Sequence, residues 1–430
     1  MNYYHRVADG LLKERLEAFG AILIEGPKWC GKTTTAEQVS KSVIRLQDTD
    51  MKEEYLFTAA TKPSLLLSGE TPRLIDEWQD APVLWDAIRT LVDKRQNPGQ
   101  FIMTGSNTVD RDRTSHSGNG RISRIQMIPM SLWESQESNG KISLKELFNE
   151  KSLEIDGITS DMQIEDLIFS ACRGGWPATM NMKSDRAKLL VARNYVDTVC
   201  REDISRIDGV RRDERVARAI MRSYARNIST LAKKTSILTD VSASGETSIG
   251  MSTFEDYVTA LKRLFVISDI DAWCPAIRSK TAIRSGAKRS FIDPSIAAAS
   301  LGLTPEAFMT QLKTFGFIFE QMCIRDLKAY TPDFDSHISY YRDRYGLEAD
   351  LVLHLSDGRY ALVECKLGSR EIDEGANHLL EINRLIQEHN QAEKQVPLRE
   401  PDLLIVLTGG RMAYCRKDGV KVIPLACLKD

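Results

Sequence analysis

The chain has 430 residues, 42% of them apolar and 27% charged, and a formal net charge of −2. That balance excludes a disordered chain and supplies enough apolar material for two or three globular domains. No apolar run approaches the eighteen or so residues that cross a bilayer. Eight cysteines, scattered singly without a C-x-x-C pair or a Cys/His cluster, argue against structural zinc and disulfides and for a reducing cytoplasm. The first element, Arg6 to Phe19, carries Leu11, Leu12, Leu16 and Phe19 at helical spacing among charges, and reads as an amphipathic helix rather than a secretory signal.

Ala21 to Glu25 reads as a buried strand, and the run Gly26-Pro27-Lys28-Trp29-Cys30-Gly31-Lys32-Thr33 fits the phosphate-loop pattern G-x-x-x-x-G-K-[ST] without a gap. Thr34 to Val39 continues as a helix, so the loop amides and the helix start point at a β-phosphate. Lys32 places a point charge on the β- and γ-phosphates, and the Thr33 hydroxyl holds magnesium. Arg73 to Trp78 is a short apolar strand ending in two acids: Asp76 anchors the magnesium and Glu77 polarises the attacking water. A third strand, Phe101 to Gly105, runs into Ser106 and Asn107, whose side chains can report the γ-phosphate or orient water. A Ser/Gly/charged loop from Asp110 to Gly120 follows, then Arg121 to Ile125, where Arg121 and Arg124 are candidate arginine fingers in the same or a neighbouring subunit.

These segments, with GRISR-x-x-x-x-P-M-S after residue 119, resemble the ATPase module of a group of bacterial and archaeal AAA-type ATPases that carry a C-terminal domain of nuclease-like fold. Arg173-Gly174-Gly175-Trp176-Pro177 and Phe291-Ile292-Asp293-Pro294-Ser295 resemble the second part of such chains. The resemblance implies ATP rather than GTP, magnesium, and assembly into homo-oligomers. No guanine-reading N-K-x-D motif appears, which agrees.

In the middle of the chain, residues 201 to 234 hold ten Lys and Arg against five Asp and Glu. Arg211, Arg215, Arg218, Arg222 and Arg226 recur at spacings that put all five on one helix face, a stripe able to track phosphates. A second helix from Ser229, a third from about Ser252 to Phe265 and a strand at Val266 to Ile270 suggest a winged helix-turn-helix. The linker Arg278 to Arg289 adds five basic residues and no acids. The charge pattern suits DNA as a partner and equally a protein-docking or interdomain role, since it gives affinity and not identity.

Near the C-terminus, Gly346 to Leu355 and Arg359 to Lys366 read as strands joined by the turn Ser356-Asp357-Gly358. Asp350 and the pair Glu364-x-Lys366 would meet at one end of that hairpin, and a helix opening at Phe315 would bring Glu320. The pattern is similar to the active site of the PD-(D/E)XK nucleases. That similarity implies a second magnesium or manganese held by Asp350 and Glu364, with Glu320 as an outer ligand and Lys366 beside the attacking water. Asp402 to Leu407 then reads as a final buried strand. The expected fold is α/β: a P-loop AAA-type ATPase module at 1–135, a linker at 136–185, a winged-helix-like middle at 186–285 and a nuclease-like domain at 286–430.

Overall fold

The computed structural model describes residues 3–108, 120–243, 248–274, 286–331, 337–392 and 397–430. The loop at 110–119, part of the polar turn at 242–250 and the basic linker at 278–285 lie outside the described residues.

Strands β1 (Ala21–Glu25), β2 (Ser42–Arg45), β3 (Arg73–Asp76), β4 (Phe101–Gly105) and β5 (Ile122–Gln126) form a parallel sheet in the order β2-β3-β4-β1-β5. The central strands β1 and β4 are covered on both faces, which is why they read as unbroken apolar runs. The helix Val7–Ala18 packs Leu11 and Leu12 with Ile22, Ile24 and Ile102 on one face. The helix Val83–Arg95 packs Leu84, Trp85 and Ile88 with Leu23, Ile75 and Met103 on the other. Because β1, β3 and β4 are parallel and contiguous, the loops leaving their C-terminal ends converge, and these loops are the phosphate loop, Glu77 and Ser106.

The middle is helical. The helix Glu214–Arg226 is capped by Asp213, which accepts the Arg215 N–H, so Arg211 precedes the helix and drops out of the expected stripe. Its apolar face, Val216, Ala217, Ile220, Met221 and Tyr224, is buried, and the helix packs against Pro294–Leu301, which thus sits with the helical middle. Helices Lys234–Ala243 and Met251–Arg263 follow. The expected strand at 266–270 is not one: Ile267 and Ile270 make isolated bridges to Phe291 and Lys288, and among the described residues no ladder extends them into a wing. The last two residues of the basic linker, Lys288 and Arg289, are buried on acids rather than turned to solvent.

Past the first sheet, β6 (Ile142–Ser143) pairs with β13 (Leu428–Lys429). Six strands, β7 (His337–Arg342), β8 (Glu348–His354), β9 (Tyr360–Lys366), β10 (Leu403–Thr408), β11 (Tyr414–Cys415) and β12 (Lys421–Pro424), form the second sheet in the order β11-β12-β10-β9-β8-β7. β7, β8 and β9 form an antiparallel meander, and the helix Ile372–Gln391 crosses over to β10, parallel to β9. Alternation assigns the two faces. Leu351, Leu353, Ala361 and Val363 share a core with the helix Leu312–Tyr330, whereas Val352 and Leu362 share one with Ile372–Gln391.

The segments meet at a buried polar joint. Arg325, 1% exposed, lies 2.6 Å from Asp326 and 3.4 Å from Asp293. Asp326 accepts the Leu132 N–H at 3.1 Å, and Asp293 accepts the Gly175 N–H at 3.0 Å. Met130 in turn donates to the Gly175 carbonyl, and a Cβ on Gly175 would lie 2.1 Å from the Met130 oxygen, so only glycine permits this approach.

Candidate functional site

The phosphate loop leaves β1 and turns into the short helix Lys32–Glu37 through Gly31, whose φ of +101° is a conformation glycine adopts without strain. Lys32 is buried, and its Nζ donates to the carbonyls of Gly26 at 3.0 Å and Pro27 at 2.8 Å. Thr33 Oγ1 donates to Asp76 Oδ1 at 2.7 Å, and Thr104 donates to the same oxygen at 2.6 Å. A hydroxyl and a carboxylate are thus held side by side, a hard oxygen pair that fits magnesium. Glu77 adopts a φ of +55°, a strained value for a non-glycine residue, and its N–H is tied to Thr104 Oγ1. Its carboxylate accepts from Ser106 Oγ at 2.9 Å and from the Gln79 amide, which fixes its direction. Five of the expected residues, Lys32, Thr33, Asp76, Glu77 and Ser106, are therefore brought together at one end of the sheet. Thr34 is exposed on the first turn of the helix.

The loop is gripped from both sides by residues no motif marks. Arg6, 6% exposed, donates to the Cys30 carbonyl and the Ile128 carbonyl at 2.7 Å each, while its Nε lies 3.0 Å from Glu134. Lys28 Nζ lies 2.5 Å from the buried Asp203 of the helical middle, and Trp29 packs edge-on against Tyr195. Replacing Arg6 with Met strands the buried Glu134 and frees the Cys30 carbonyl. We expect a loss of about 3–5 kcal/mol in denaturant unfolding together with weaker nucleotide binding by calorimetry.

Arg121 is not brought to this site within its own chain, and Arg124 is tied to the residue that precedes the phosphate loop. Arg121 precedes β5 beside the start of β1, a strand length of roughly 15 Å from the phosphate loop, and is ion-paired with Asp93 at 2.7 Å. Arg124 reaches Glu25 at 3.2 Å and lies over the Trp85 ring.

At the second sheet, β8 and β9 run in a register that sets Asp350 opposite Glu364, one step beyond the Leu351–Val363 pair. Asp350 Oδ2 accepts the Cys365 N–H at 2.9 Å. Lys366 Nζ lies 2.9 Å from Glu364 Oε2, and His378 lies 3.4 Å from Oε1. Burial, and then the neighbouring Asp350, pushes the Glu364 carboxyl up to about 9, against the pull of Lys366. Asp350, Glu364 and Lys366 thus come together as the sequence suggests, and Glu320 is close by, but it faces a different cation. Lys288 Nζ, 99% out of solvent, lies 2.8 Å from Glu320, 3.0 Å from Glu348 and 3.5 Å from Asp350 Oδ1. Burial, with Asp350 and Glu348 adding to it against the pull of Lys288, raises Glu320 to about 8. Among the described residues no group of three or more His, Cys, Asp or Glu side chains is set to hold a metal ion. The expected ligands Glu320 and Asp350 point at an ammonium, so as arranged they do not fit a second divalent ion.

The arginine stripe is largely neutralised. Arg218 is paired with Asp197 and Glu214, Arg226 with Asp240, and Arg215 with Asp213. Arg222 and Arg193 remain exposed without an ion pair among the described residues, on a groove of about 700 Å³ between the helices. Among the described residues no helix is long and apolar enough to cross a membrane.

Residues 164–307 and 315–428 match two domains of unknown function, DUF8612 and DUF4143. Two relatives, the uncharacterised proteins Mb2031c of Mycobacterium bovis and Rv2008c of Mycobacterium tuberculosis, are each 24% identical over 361 residues, covering 83% of this chain and 72% of theirs. Among solved structures, the Walker-type ATPase PABY2304 of Pyrococcus abyssi aligns with a TM-score of 0.41 at 14% identity, over 69% of this chain and 96% of that one. Cdc6p of Pyrobaculum aerophilum aligns with a TM-score of 0.23 at 14% identity, over 73% and 93%. Residues 18–136 match the AAA domain family, and with the phosphate loop, acid pair and parallel sheet in place this segment is a P-loop ATPase module of the AAA type.

Proposed function

We propose that the chain is a magnesium-dependent protein that binds and hydrolyses ATP in the cytoplasm and acts on nucleic acid through its helical middle. The observation that carries this reading is the convergence of Lys32, Thr33, Asp76, Glu77 and Ser106 on the loops of three adjacent strands. Incoming phosphates take the Lys32 ammonium from the Gly26 and Pro27 carbonyls. Thr33 and Asp76 would supply the oxygens for magnesium, which when bound would neutralise phosphate charge. Glu77, aimed by Ser106 and Gln79, accepts the proton of the attacking water. Arg121 and Arg124 would act only across the interface of a homo-oligomer. The testing measurement is steady-state phosphate release with and without magnesium; no magnesium-dependent release by the purified chain would end the proposal.

Nucleic acid as the partner is supported by the unpaired Arg193 and Arg222 on the groove. Reversing both to Glu should weaken duplex binding and flatten its salt dependence by about one unit of slope per lost contact, measured by fluorescence anisotropy over a salt series. An unchanged slope would remove these arginines from the interface. A second reading, a nucleotide-dependent switch whose nuclease-like domain docks a DNA or protein partner without cleaving, is favoured by the lysine inside the acidic cluster.

A further inference from the structure

Four oxygens surround the ammonium of Lys288: Glu320 Oε1 at 2.8 Å, Glu348 Oε1 at 3.0 Å, the Asp350 carbonyl at 3.1 Å and Asp350 Oδ1 at 3.5 Å. The Tyr340 ring closes another side, with its centroid 5.6 Å from Nζ. These oxygens come from two elements, the helix Leu312–Tyr330 through Glu320 and β8 through Glu348 and Asp350, and Lys288 itself bridges to the helical middle through the Ile270 backbone. A buried carboxylate cluster needs a counter-charge, because leaving several acids unpaired in a low dielectric costs several kcal/mol each. Here the remaining acid is also partnered from within the chain, Glu364 by Lys366 and His378, and Glu348 has a second cation in Arg342 at 3.3 Å.

We infer that Lys288 is the resident cation of the acidic cluster in the C-terminal domain, filling the space between Glu320 and Asp350, two of the three acids to which the nuclease resemblance assigns a divalent metal. Magnesium binds oxygen at about 2.0–2.1 Å and needs near-octahedral room. An ion that close to Glu320 and Asp350 would sit almost against the buried Lys288 ammonium, and the two positive charges would repel strongly at that depth. The cluster is a lysine-centred clamp that fastens the helix Leu312–Tyr330 and the segment after residue 286 onto β8, and it needs no metal to form. The inference is independent of ATP turnover, since none of its residues touches the phosphate loop.

The test counts bound Mn²⁺ per full-length, nucleotide-free chain by electron paramagnetic resonance. The wild type and Asp350→Asn should bind equal amounts; Asp350→Asn keeps an acceptor for the Cys365 N–H, so its fold should survive. Lys288→Met should gain one Mn²⁺ per chain, lose it again when combined with Asp350→Asn, and melt at higher temperature when manganese is added. Lys288→Arg should behave as the wild type. A wild-type site that disappears in Asp350→Asn overturns the inference. So does a folded Lys288→Met that gains neither a site nor a manganese-dependent shift in melting. If Lys288→Met fails to fold in any buffer, the wild-type and Asp350→Asn counts decide alone.

Discussion

Lys32→Ala is expected to abolish ATP binding in calorimetry, whereas Glu77→Gln should bind ATP with near wild-type affinity and turn it over about 10²–10⁴-fold more slowly. The difference follows from what each side chain touches. Lys32 is the buried cation folded over the loop carbonyls, so it contributes to holding the phosphates in ground and transition states alike. Glu77 touches neither the loop nor the Thr33–Asp76 pair; its carboxylate is fixed by Ser106 and Gln79 and is available for the water. Glutamine keeps that shape without accepting the proton. Ser106→Ala should fall between the two, lowering kcat with little change in binding, because it frees the carboxylate to rotate. Equal loss of binding in Lys32→Ala and Glu77→Gln would disprove the division of roles.

The second large effect is expected at the joint. Arg325→Met should cost roughly 3–5 kcal/mol in denaturant unfolding, because it leaves Asp293 and Asp326 buried and uncompensated. The triple variant Arg325→Met/Asp293→Asn/Asp326→Asn should recover part of that loss, since neutral amides still accept the Gly175 and Leu132 N–H groups. A loss under 1 kcal/mol in the single variant would show that the joint opens to water. The same unfolding curves should become less cooperative, because Leu132 lies at the end of the ATPase module, Gly175 in the segment leading into the helical middle and Asp326 on the helix that supports the second sheet.

Much of this arrangement is legible in the sequence for a definite reason. β1, β3 and β4 are central or near-central parallel strands, so their burial leaves apolar runs, and the glycine-containing loop and acid pair follow directly at their ends. The β8–β9 hairpin shows through the turn at Asp357-Gly358 and through alternation, and it brings Asp350 to Glu364. What escapes reading is set by partners distant in the chain. The stripe from Arg215 to Arg226 looks like a free basic face until Asp197 and Asp240 arrive from neighbouring helices. Lys288 looks like linker charge until Glu320 and Glu348 close on it. β2 and β7 are edge strands, paired on one side only, and mix polar with apolar residues in place of the apolar run that marks a central parallel strand.

Lys28 lies within the phosphate loop, yet its ammonium is spent on Asp203, a carboxylate that is 4% exposed and belongs to the helical middle. Beside it Trp29 rests on Tyr195, which in turn packs on Trp176. Nucleotide affinity and the position of residues 195–203 are therefore terms in one equilibrium. Any ligand that draws the helical segment away from the loop changes the affinity for ATP by some factor, and ATP must change the affinity for that ligand by the same factor.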